Sequence, residues 1–176
     1  MKRPVLVPML VGSLLLLSGV ARAQEAHPAF VTELSGSEEV PARATLAQGV
    51  AGVLVSHDSS SVYYTVTATD ASTAIVAAHI HIAPKGENGP VVVTLCSAQT
   101  KPCGTEGSVA QGTFTEADLA GPMQGSALGE LIQQMQTGNA YVNVHTTKFP
   151  DGEARGQLVD LASLPMEQTG SAAPAE

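Results

Sequence analysis

The stretch GVAGVLVSHDSSSVYYTVTAT, residues 49–69, decides the fold class. Apolar and small or polar side chains alternate in Gly49–His57 and again in Ser61–Thr69, and the turn-forming DSS lies between them. Alternation with a period of two puts successive side chains on opposite faces of a strand, and two such runs around a short polar turn make a β-hairpin.

The same pattern recurs on both sides. Ala29–Gly36 reads as a first strand running into the turn-rich SEEVPA. Thr73–Ala83, Val91–Cys96, Gly107–Glu116, Asn139–Thr147 and Glu153–Leu161 read as further strands, separated by the turn formers PKGENGP and KFPDG among others. SALGELIQQMQTG breaks the pattern. Leu128, Leu131, Ile132 and Met135 fall at i, i+3, i+4 and i+7, with Gly138 as a C-cap, so this segment is a short amphipathic helix closing one end of the core. About eight short strands at roughly ten-residue spacing predict an all-β, antiparallel, Greek-key-like β-sandwich with one inserted helix. With three tyrosines, three phenylalanines and no tryptophan, the core has to come mainly from valine, leucine, isoleucine and alanine.

The N-terminus predicts export. Lys2 and Arg3 precede an apolar run over Val5–Val20, and ARA at 21–23 supplies small residues for cleavage after Ala23. That run is short for a spanning helix, which needs about 20 apolar residues. The expected layout is a signal peptide over 1–23, one domain over 24–162 and a polar, alanine-rich disordered tail over 163–176, with a secreted or periplasmic destination. After cleavage five basic residues face 16 acidic ones, a net charge of −11. That disfavours nucleic acid and anionic membrane, which need clustered lysine or arginine. Cys96 and Cys103, the only cysteines, are expected to form a disulfide in an oxidising compartment.

Strand parity also picks out a candidate site. In AAHIHIAPKGENGPVVVTL (77–95), His79 and His81 share one face while Ile80 and Ile82 point to the core. In YVNVHT, Tyr141, Asn143 and His145 share one face and Val142 and Val144 the other. If the two strands are neighbours, His79, His81 and His145 can converge on one ion. Neutral imidazoles suit copper or zinc, and three of them leave a fourth position for water or an outside ligand. The alternative is a set of solvated polar residues hydrogen-bonded to neighbours such as Glu87, Asn143 or Glu153. Asn143, Glu153 and Arg155 are the candidates for a supporting shell. Arg155 could guide an anion, or pair with Glu153, Asp151 or another carboxylate. PKGENGP reads as a turn first and as a rim of the site second. His27, beside the expected mature N-terminus, and His57, at the hairpin bend, read as solvated, having no partner in register. Glu116 and Asp118 read as turn or helix-start residues. No Ser-His-Asp order, P-loop or Gly-x-Gly-x-x-Gly is present.

FVTELSGSEEVPA, AAHIHIAPKGENGPVVVTL and YVNVHTTKFPDGEARGQL, in that order over about Phe30–Leu161, resemble the chordin-type (CHRD) domain. The resemblance implies a β-sandwich of the kind found in chordin and in exported bacterial proteins. That sandwich is in turn similar to the one in copper–zinc superoxide dismutase, where a His-x-His strand supplies copper ligands. By that likeness His79 and His81 match the strand pair and His145 a late-strand ligand. The chain has neither a bridging histidine in a long loop nor a separate zinc cluster. Three functions stay open: a binding module holding copper or zinc, a copper redox enzyme of the dismutase type, and a metal-free domain that binds an extracytoplasmic protein.

Overall fold

A computed structural model describes residues 27–165. The expected leader (1–23) and all but Ser163–Pro165 of the expected tail lie outside these residues. Nine strands and one helix follow in the order β1 (Ala29–Ser35), β2 (Gln48–Val55), β3 (Ser61–Thr69), β4 (Ile75–Ile82), β5 (Val91–Ser97), β6 (Ala110–Thr115), α1 (Leu128–Gln136), β7 (Ala140–Thr146), β8 (Ala154–Gln157) and β9 (Val159–Asp160). Among the described residues no helix is long and apolar enough to cross a membrane.

The hairpin of residues 48–69 forms as read. Ala51, Val53 and Val55 of β2 and Val62, Tyr64, Val66 and Ala68 of β3 are buried on one face. At its turn Asp58 Oδ1 accepts from the Ser56 hydroxyl and from the backbone N–H and hydroxyl of Ser60. α1 also matches its sequence pattern: Leu128, Leu131, Ile132 and Met135 are buried, and Gly138, just past the helix, takes φ +74°.

All pairings are antiparallel, and the fold is all-β. The strands make one continuous sheet in the order β5-β4-β7-β8-β1-β2-β3-β6, rolled until the outer strands β5 and β6 touch, and β9 pairs with β1. The result is closer to a nearly closed barrel than to two separate sheets. The two halves of the sheet are joined by Glu153–Leu161, which the sequence pattern reads as one strand. It divides at the buried Leu158: β8 pairs with β7 and touches β1 through Ser35 and Arg155, and β9 shifts wholly onto β1. Gly156 permits this close crossing, because a Cβ there would stand 2.0 Å from the Glu33 carbonyl oxygen.

Aromatic residues contribute more to the interior than their number suggests. Phe30, Tyr64 and Phe114 are among the largest fully buried side chains, and the Tyr64 hydroxyl donates to the Leu95 carbonyl at 2.8 Å. Cys96 and Cys103 form the expected disulfide, which closes a loop beyond β5.

Candidate metal centre

β4 and β7 are neighbours, and their register sets His79 opposite Asn143, His81 opposite Tyr141 and Ala77 opposite His145. Side chains opposite one another across strands share a face, so all three histidines stand on the side away from Ile80, Val142 and Val144, which are core. One nitrogen from each of His79, His81 and His145 can be chosen so that all three lie within 4.8 Å of one another. The closest pair is His79 Nδ1 and His145 Nε2, at 2.9 Å.

This face is not solvated. Asn143, His81 and His145 are buried, and His79 is half-buried. PKGENGP folds over it: Gly89 N donates to the Tyr141 hydroxyl, and Asn88 Nδ2 donates to the Val40 carbonyl. The turn after β7 covers the other side.

Both covering loops fix imidazole protons. His81 Nδ1 lies 2.9 Å from the Gly89 carbonyl, and His145 Nδ1 lies 2.8 Å from the Pro150 carbonyl. A carbonyl oxygen only accepts, so in both rings Nδ1 carries the hydrogen and donates it. When these rings are neutral their Nε2 atoms carry lone pairs. Orientation of a ring by a hydrogen bond at its far nitrogen is the usual arrangement behind a metal-ligating histidine.

The rings are held neutral. Burial, with the neighbouring rings of His145 and His81 second, pushes His79 down to about 4. Burial also lowers His81 and His145, against opposing hydrogen bonds to Gly89 and Pro150 respectively. Neutral imidazole is the form that ligates a metal, so the donor set fits a transition-metal ion. The stability of the metal-free protein then depends on pH. An unfolded histidine titrates near 6.5, so between about 6.5 and 4 the unfolded chain binds the proton that folded His79 rejects. His79 should therefore lower stability over that window, by about 1–2 kcal/mol once pH reaches 4, allowing for solvent screening of a half-buried ring. Buried Glu39 acts in the opposite sense, because desolvation raises it to about 7 and its folded form holds the proton. The difference between wild type and His79→Gln isolates the histidine. The urea midpoint should fall less between pH 7 and 4.5 in the variant than in wild type, and an identical pH dependence would refute the depressed histidine.

The supporting residues divide. Asn143 Oδ1 lies 3.0 Å from His81 Nε2 and 2.9 Å from His145 Nε2, inside the cluster. Arg155 stands behind it, its guanidinium over the Tyr141 ring at 4.6 Å, and Tyr141 in turn stacks on His81 with ring centres 4.7 Å apart. Arg155 donates to the carbonyls of Glu38 and Glu87 and to Asn88 Oδ1, and its nearest carboxylate is that of Glu39, at 4.0 Å. Glu153 takes no part in that pairing. It is fully buried and accepts from the hydroxyls of Thr45 and Thr146 and from the backbone of Ser72. Burial alone would raise its carboxyl, but these hydrogen bonds hold it below the ordinary range.

Glu39 is the residue that sequence reading missed. It lies in SEEVPA, whose composition signals only a turn, and its contact with Arg155 spans more than 100 residues. His27 and His57 prove to be partners of each other, with ring centres 4.6 Å apart, where sequence reading treats them as unpaired.

A family model described as CHRD domain matches residues 30–158. No curated protein and no solved structure matches the chain, so the likeness to the dismutase sandwich has no structural neighbour behind it.

Proposed function

Because the chain belongs to the CHRD-domain family, we propose that it is an exported binding module holding one transition-metal ion, copper or zinc, between His79, His81 and His145. One observation carries the reading. Two loop carbonyls place the protons of His81 and His145 on Nδ1, which leaves two Nε2 lone pairs beside the half-buried ring of His79. The disulfide supports an oxidising, extracytoplasmic compartment, secreted or periplasmic, and the leader read at 1–23 agrees with it. The acidic balance of the chain disfavours nucleic acid as a partner and leaves a metal ion or an extracytoplasmic protein.

Titration of the purified protein with Cu(II) and Zn(II), followed by calorimetry and by the Cu(II) spin-resonance spectrum, tests the proposal. One equivalent should bind tightly, with hyperfine coupling from imidazole nitrogens. Binding weaker than about 1 mM, or a Cu(II) spectrum without nitrogen coupling, would overturn it. A superoxide assay on the copper-loaded protein then separates a holder of copper from a redox enzyme.

A further inference from the structure

We propose that the side-chain oxygen of Asn143 is a fourth ligand of this site, so that the ion is held by three imidazole nitrogens and one neutral oxygen, all from the protein. The proposal rests on the three-histidine reading and sharpens it. Asn143 Oδ1, 2.9 Å from His145 Nε2 and 3.0 Å from His81 Nε2, faces two atoms that carry lone pairs when their rings are neutral. The Asn143 oxygen then faces two further acceptors, and the neighbouring ring nitrogen, His79 Nδ1, reaches only one of them, His145 Nε2, at 2.9 Å. Acceptors in that arrangement repel, and a cation among them turns all three into ligands. The spacing also agrees. Two donors at the right angles of a tetragonal Cu(II) site, each about 2.05 Å from the ion, stand about 2.9 Å apart, against about 3.3 Å in a tetrahedron.

The surroundings of the amide orient it the same way. A Cβ on Gly152 would lie 2.9 Å from Asn143 Nδ2 and 2.6 Å from Glu39 Oε1, so the amide nitrogen and the carboxyl oxygen flank the same small space. Gly152 has φ +123°, which also favours glycine. Glu39 Oε1 is buried with no hydrogen-bond partner among the described residues. With the carboxyl group on its NH₂ side, the amide presents its oxygen to the histidines.

A site whose four ligands all come from the protein is closed, like structural zinc sites, whereas catalytic sites keep a position open. With zinc bound, Asn143 as fourth ligand makes this a centre that holds its ion, whereas with copper bound the superoxide assay decides between holding and redox chemistry. The reversed amide, with NH₂ donating to both lone pairs, would instead be a plug that an incoming metal displaces, and the two roles differ in sign.

Cu(II) and Zn(II) titrations of wild type, Asn143→Ala and Asn143→Asp, each as the full chain, decide between them. The alanine variant should bind about 10–100-fold more weakly and shift the visible Cu(II) absorption band. The aspartate variant, with an oxygen in the same place and an added charge, should bind at least as tightly as wild type and restore the band. Unchanged or tighter binding by the alanine variant overturns the proposal, as does an aspartate variant that loses affinity. Melting of the metal-free variants identifies misfolding, and the aspartate variant decides the matter if the alanine variant fails to fold. If wild type binds and only the Asn143 pattern fails, the three-histidine site stands. If wild type binds no metal, both readings fall.

Discussion

Replacing His145 with alanine should weaken metal binding at least 100-fold while leaving the protein folded. The expected loss exceeds the 10–100-fold typical of a supporting residue behind a metal, because His145 supplies a ligand atom. It is also the only histidine of the three from β7, so it carries the claim that two strands share one ion. The stability cost is modest by comparison. Removing the ring leaves a small cavity and an unpaired Pro150 carbonyl, together worth about 1–3 kcal/mol. His57→Ala, at the hairpin bend, is the control and should bind as wild type does. A His145→Ala variant that binds copper within threefold of wild type would remove His145 from the site.

The largest stability effect belongs to a residue that touches no histidine. Glu153→Leu should cost about 2–4 kcal/mol, because it leaves the buried Thr146 hydroxyl unpaired and removes the charge-assisted hydrogen bonds from the half-buried Thr45 hydroxyl and the Ser72 N–H. Each unsatisfied donor costs about 1–3 kcal/mol. Glu153→Gln keeps acceptor capacity and should cost about half as much. The effect should reach the metal centre as well. Thr146, which donates to Glu153, also accepts from the Phe149 backbone, and that turn carries the carbonyl of Pro150 that aims His145. Chemical denaturation of the three proteins measures the cost, and a leucine variant within 1 kcal/mol of wild type would show that these donors find other partners.

These two residues also mark where sequence reading succeeded and where it stopped. Parity alone put His79, His81 and His145 on the face opposite Ile80 and Val144, and adjacency of β4 and β7 then brought them together. Parity failed for Glu153 because this residue precedes β8, which begins at Ala154. Outside a strand the period of two does not apply, so its pairing with Arg155 did not follow. The Glu153–Leu161 segment was legible as extended but not as two strands, because the division at Leu158 depends on β1 pairing from the other side. The covering of the histidine face was hidden as well. SEEVPA, PKGENGP and KFPDG each signal a turn, but no local pattern says that all three fold over the same strands.

That covering has a consequence for how the centre tolerates change. The carbonyls of Gly89 and Pro150 that set the proton positions of His81 and His145 belong to the main chain. Another amino acid at Pro150 still carries a carbonyl, so substitution there leaves the aim of His145 intact, whereas Gly89 admits no side chain, because a Cβ would stand 1.9 Å from the Ile82 carbonyl oxygen. An added or deleted residue in either loop shifts its path and misdirects the imidazole which that loop holds. The centre is therefore tolerant of spelling at one loop and brittle to length at both, and the spans from His81 to Gly89 and from His145 to Pro150 are the two distances it cannot renegotiate.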